Sequence, residues 1–299
     1  MLKRLNIYFK EMYPLVSRLI LGFIVFSEIY FIILLNNGIT SFNFGIQELI
    51  GGYTLFAFLM WLRIADDFKD YELDKKLFAD RPLPSGRVEK KDLIIVCCIV
   101  QGIALILNVL FMPNLLFFFI LYIYGFLMSK WFFQKSKIQP SLPLALITHN
   151  PVQMFLNLYT ISFTVIKYNV NPFQFKIFLT LMTLYFPALI WEVSRKIRAP
   201  KDENEYITYS KLFGYKKATR FIAILTLVDI VTNIILVWDL NKIAVLVLIA
   251  LVSWQTYKFI DFCKDPTRYK VVDTVEKYTY LQESTMILTV VIFLLIGKI

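Results

Sequence analysis

Four aspartates, Asp66, Asp67, Asp70 and Asp74, stand at the end of a largely apolar approach in the run Trp61-Leu-Arg-Ile-Ala-Asp-Asp-Phe-Lys-Asp-Tyr-Glu-Leu-Asp-Lys-Lys. No Gly or Pro interrupts this stretch, so one helix is expected to continue through it. On such a helix Asp67, Asp70 and Asp74 share a stripe about 60° wide, with Asp66 beside it and Glu72 pointing away. Like charges on one stripe repel, and an uncompensated acidic strip at a membrane surface is costly. Mg²⁺ offsets that cost directly. It keeps several waters, binds one or two carboxylates and takes further ligands from phosphate oxygens. The plainer alternative is a solvated helix end balanced by Lys69, Lys75 and Lys76. Beyond it comes Phe78-Ala-Asp-Arg-Pro-Leu-Pro-Ser-Gly-Arg-Val, where two prolines and a glycine make a rigid turn. That turn would fix Arg81 and Arg87, whose guanidinium forks match phosphate oxygens.

The rest of the chain sets where such a site would lie. Of 299 residues, 58% are hydrophobic, with 28 Phe and 17 Tyr, too much apolar surface for one water-facing globule. A lipid-embedded helix needs about 20 apolar residues. Stretches of that order occur near 15–36, 46–65, 92–111, 114–133, 142–166, 172–191, 218–238, 241–260 and 276–297. The fold class is therefore all-α: a polytopic membrane protein of about nine transmembrane helices, read as one domain over residues 1–299.

Residues 1–14 have no secretory-signal pattern and read as an amphipathic lead-in on the membrane surface. Cys97, Cys98 and Cys263 form neither a disulfide nor a metal pattern. Of the 32 Lys and Arg, all but Lys167, Lys176, Lys242 and Lys298 fall on or at the edge of one side. The positive-inside rule makes that side cytoplasmic, with the N-terminus and both active loops there and the C-terminus outside. The net charge of +10 is thus accounted for by topology and membrane lipid, with no nucleic-acid partner needed.

The aspartate spacing, the Arg81-Pro-Leu-Pro-Ser-Gly-Arg87 segment shortly after it, and its position after the second span together resemble the UbiA superfamily of intramembrane prenyltransferases. The family usually carries Asn where this chain has Asp66. The resemblance implies helices in one bundle around a central cavity and a second acidic motif after the sixth span. There the sequence reads Trp191-Glu-Val-Ser-Arg-Lys-Ile-Arg-Ala-Pro-Lys-Asp-Glu. Its acids are fewer and more spread than the family pattern. The assignment made here gives Glu192 and Asp202 the second metal, with Glu203 in reserve, and gives Arg195, Lys196 and Arg198 phosphate contacts. Tyr124 and Lys130, closing the fourth span, match positions the family often places near the diphosphate. Asn150, Gln153 and Asn157 share one face of the fifth span and are pocket candidates, though interhelical hydrogen bonding serves such residues equally well. His149 is a candidate base, and Asp229, Asn233 and Glu283 are polar groups that either face the cavity or pair internally.

The chemistry so implied is Mg²⁺-assisted ionisation of an allylic prenyl diphosphate, followed by capture of the prenyl cation by a hydrophobic or aromatic acceptor. Asp66, Asp67, Asp70, Asp74, Glu192 and Asp202 are the expected metal ligands. A membrane terpene cyclase, in which the prenyl chain captures its own cation, uses the same ionisation. A transporter would instead place its acids near the bilayer midplane.

Overall fold

The computed structural model describes residues 1–203 and 207–297, so Lys298 lies outside the described residues. Among these the regular structure is entirely helical. The chain divides into two compact units. The first comprises Met1–Ser27, Phe42–Lys135 and Ile166–Tyr168; the second comprises Glu28–Ser41, Ser136–Val165 and Asn169–Ile299.

The first unit contains α1 (Leu2–Glu11), the opening half of α2 (Leu15–Asn36), α3 (Ile46–Lys69), α4 (Tyr71–Leu77), α5 (Lys90–Phe111) and α6 (Leu115–Ser129). Helix α3 is its spine. At its start Glu48 is fully buried, accepts the Gly45 N–H at 2.8 Å and pairs with Lys167. A carboxylate at a helix N-terminus is favoured by the dipole and by the free N–H groups there. Midway, Gly22 of α2 meets α3 so closely that an added Cβ would lie 2.8 Å from the Gly52 carbonyl oxygen. Small residues let membrane helices approach to this distance. The core beneath combines Leu5, Tyr8 and Tyr13 with Met60, Ile64, Leu83, Val88 and Leu93, so the lead-in helix α1 packs into the unit.

The second unit carries α7 (Lys135–Ile138, whose first residue belongs to the first unit), α8 (Leu142–His149), α9 (Val152–Tyr168), α10 (Phe175–Met182), α11 (Tyr185–Ser194), α12 (Tyr209–Phe213), α13 (Tyr215–Val237), α14 (Lys242–Lys264) and α15 (Val271–Ile296). Its core joins Leu189, Ile190 and Val193 to Ile222, Phe259, Phe262 and Val275.

Seven helical stretches among the described residues are long and apolar enough to cross a membrane. Two of the nine expected spans take other forms. The fourth is the 15-residue α6, and the fifth is split at Asn150-Pro151 into α8 and α9. The sixth, Phe175–Ser194, is also interrupted, because Leu184 adopts a left-handed φ of 62° between α10 and α11. That break leaves carbonyls outside the regular intrahelical pattern. Asn157 Nδ2 supplies the missing donor, to Leu181 O at 2.9 Å and to Thr183 O, and Gln153 steadies Asn157 Oδ1 at 3.1 Å. Asn157→Leu should therefore lower stability by about 1–3 kcal/mol, the cost of stranding buried acceptors. Unfolding of purified protein in detergent measures it, and an unchanged midpoint would show that something else caps the break.

Candidate active site

The acidic run begins where α3 ends. Helix α3 stops at Lys69, Asp70 takes a non-helical conformation (φ −101°, ψ 9°), and α4 starts at Tyr71. One uninterrupted helix through Asp74 is thus corrected to two helices hinged at Asp70. A row of carboxylates offers the reason. Negative charge is unfavourable at the C-terminus of α3 and favourable at the N-terminus of α4, so a hinge at Asp70 places Glu72 and Asp74 in a first turn.

Each aspartate then meets a different environment. Asp67 is buried between two donors: the Tyr8 hydroxyl at 2.6 Å on Oδ2 and Arg63 Nη2 at 2.8 Å on Oδ1. Asp74 is buried and accepts from Arg81 Nη1 at 2.7 Å, the guanidinium lying 4.0 Å over the Phe78 ring. Asp66 is more open and pairs with Lys69 at 2.7 Å. Asp70 is half-buried and has no such partner among the described residues. Burial holds its carboxyl above the usual carboxylate range; Lys69 counteracts this, while Asp66 and Asp74 push it further up and Lys135 opposes. These acids therefore form one electrostatic cluster, in which Asp70 is the least compensated. Glu72 is exposed, as its angular position requires.

The surrounding cations are arranged from three segments. Arg87 makes two contacts with Glu11 of α1, at 2.5 and 2.9 Å, and donates to Asp80 O at 2.5 Å. After α6, Trp131, Phe132 and Phe133 have positive φ values of 53°, 49° and 55°. Such a run is strained for residues with side chains and persists only where the surroundings enforce it. Here Lys69 Nζ sits 4.8 Å from the Trp131 ring. Lys130 is exposed and closes α6, and the ring of half-buried Tyr124 lies edge-on to Phe132 at 5.5 Å.

The second motif, in the second unit, is built differently. Glu192 near the end of α11 pairs with Arg195 at 2.5 Å and Lys196 at 2.9 Å. Asp202 is exposed in a single 3₁₀ turn, Pro200–Asp202. Glu203 accepts from the Thr208 hydroxyl at 2.8 and 2.7 Å and from Ser210 Oγ at 2.5 Å, while the Arg198 N–H donates to Ser210 Oγ at 2.8 Å. These bonds tie Glu203 to the residues at the start of α12.

The same unit holds acids inside its spans. Glu28 is buried in α2, Glu283 lies within α15, and Asp229 Oδ1 of α13 accepts from Asn233 at 3.0 Å. His149 Nδ1 lies 3.1 Å from Ala145 O, a contact within its own helix.

Residues 23–274 match the family model of the UbiA prenyltransferase family, a stretch that runs through both units. The chain belongs to the UbiA prenyltransferase family. It is a prenyltransferase and an integral, multi-pass membrane protein. A solved structure from work on a digeranylgeranylglyceryl phosphate synthase in membranes shares the fold, with a TM-score of 0.67 at 14% identity over 97% of this chain and 99% of that one. No curated protein matches the sequence.

Within this UbiA chain, the first motif offers only hard oxygen donors beside fixed cations, a set that fits Mg²⁺ with a diphosphate better than any softer metal. No three Asp, Glu, His or Cys side chains among the described residues converge into a complete metal cage. Mg²⁺ does not require one, since one or two carboxylates suffice when phosphate supplies the remainder. Glu11 and Arg63 are not singled out by the sequence, and Tyr8, which reads there as a membrane-surface anchor of the lead-in helix, is fully buried against Asp67. Arg63 was legible, four residues before Asp67 on a helix; Tyr8, 59 residues away, was not.

The burial of Asp70 has a direct consequence for stability. Its carboxylate form is disfavoured in the folded protein, so the penalty is fully present above its raised pKa and disappears as acid protonates it. Metal-free protein carrying Asp70→Asn should be more stable than wild type at neutral pH, with the difference closing on acidification. Unfolding in chelator across pH reads this out; a difference that grew toward acid would reverse the sign.

Proposed function

We propose that this prenyltransferase acts on an allylic prenyl diphosphate with Mg²⁺ and passes the prenyl group to a hydrophobic or aromatic acceptor, releasing diphosphate. The observation that carries the reading is the acidic cluster from Asp66 to Asp74, held at a helix junction by Tyr8, Arg63 and Arg81, with Asp70 left least compensated. When bound, the metal neutralises the leaving diphosphate and acts as a Lewis acid.

The chain's own residues do the rest. Asp67, Asp70 and Asp74, with Asp66 at the edge, are the proposed donors, each still offering lone pairs beyond those its protein partners occupy. Arg81 is poised to trade its bond to Asp74 for phosphate oxygens. Arg87 and Lys130 add fixed positive charge where negative charge develops, with Tyr124 beside them. In the second motif Glu192 and Asp202 are proposed for a further ion, and Arg195, Lys196 and Arg198 for phosphate. The Lys and Arg distribution supports a topology with the N-terminus and both motifs on the cytoplasmic side and the C-terminus outside. Asn150 and Gln153 are proposed to line the pocket, with Asn157 acting through the helix break it caps.

Asp67→Ala and Asp70→Ala should each reduce turnover by more than about 100-fold, the scale of removing a group that stabilises developing charge, while the protein still inserts and folds. The assay is release of diphosphate from labelled prenyl diphosphates of several lengths, with and without aromatic acceptors. Full activity in either variant, or activity indifferent to chelator, would overturn the metal assignment. A cyclised hydrocarbon formed without acceptor would assign a terpene cyclase instead.

A further inference from the structure

The lead-in helix α1 does more than lie at the membrane surface. Its Tyr8 is fully buried, and its hydroxyl donates to Asp67 Oδ2 at 2.6 Å across 59 residues of sequence. Three turns of the same helix carry further polar ties: Arg4 to Asp92 and to Glu89 at 3.0 Å, and Glu11 to Arg87. Burial and the neighbouring Asp67 charge hold the Tyr8 hydroxyl well above the usual phenol range, so it remains a donor at any physiological pH. Arg63 Nη2 occupies the other Asp67 oxygen at 2.8 Å.

A carboxylate has about four lone-pair directions. With one direction on each oxygen taken by Tyr8 and Arg63, each oxygen keeps a free lone pair, and turning the Asp67 carboxylate would break both bonds. Ligands of metal ions are commonly oriented through such outer hydrogen bonds, and losing one typically weakens metal binding 10–100-fold.

We propose that Tyr8 is a positioning residue for the metal site, and that α1 is a fixed strap orienting Asp67 and, through Glu11, the Arg87 turn. This rests on the reading of Asp67 as a metal ligand. The strap holds the donor set in its binding geometry before substrate arrives, so the ordering is done in folding and not at each turnover.

The test is direct binding of Mn²⁺, as a Mg²⁺ surrogate, to full-length protein with a non-hydrolysable prenyl diphosphate, followed by calorimetry and by the Mn²⁺ resonance. Tyr8→Phe deletes one oxygen and keeps the ring against Phe9. The expected result is metal affinity weakened about 10-fold, a thermal midpoint near that of wild type, and turnover recovered at saturating metal. In an Asp67→Asn background, Tyr8→Phe should cause no further loss, because its effect runs through Asp67. Unchanged affinity in Tyr8→Phe, or an equal further loss in the double variant, overturns the strap. If Asp67→Asn itself binds metal normally, the metal reading falls and the strap with it; if only Tyr8→Phe is without effect, the metal reading stands alone.

Discussion

The mutual repulsion of carboxylates at the C-terminal end of α3 is the constraint on which the first unit depends. That end already bears partial negative charge from its unsatisfied carbonyls, so Asp66, Asp67 and Asp70 stand where a helix least tolerates them. The opposite end follows the ordinary rule, with Glu48 capping the N-terminus and Lys167 beside it. The contrast separates a stabilising acid from acids kept for another purpose. Around the offending end stand compensating contacts: Arg63 and Tyr8 on Asp67, Arg81 on Asp74, Lys69 on Asp66. What remains uncompensated is concentrated at Asp70, and a divalent cation is the natural complement.

The second unit answers a different constraint, the absence of water within a membrane. Breaks in α8–α9 and α10–α11 release backbone groups that must be satisfied from inside. Asn157 does so for the second break. A helix interrupted and then capped by a side chain gives a bend that holds its shape.

Much of this was legible in the sequence, for identifiable reasons. Apolar length located the helices, because the hydrocarbon thickness leaves little freedom, and the aspartate spacing with its Arg-Pro turn pointed to the family. The hinge at Asp70 was not legible, since no Gly or Pro marks it and its cause is electrostatic. Nor was the early end of α6 at Ser129, which the positive-φ turn at Trp131–Phe133 follows. The contacts of Tyr8 and Glu11 were not legible because their partners lie 59 and 76 residues away. The hydrogen bonds that Glu203 accepts from Thr208 and Ser210 were not legible either, since composition alone does not connect those hydroxyls to it.

The central claim is that the acids from Asp66 to Asp74 share a divalent metal with a prenyl diphosphate. Pulsed electron–nuclear double resonance on Mn²⁺-loaded protein with a non-hydrolysable prenyl diphosphate reads this contact most directly. The account predicts a phosphorus hyperfine coupling of directly coordinated phosphate, lost when Asp67 and Asp70 are both replaced by Asn. Manganese bound without phosphorus coupling, or a coupling that survives the double replacement, would contradict it.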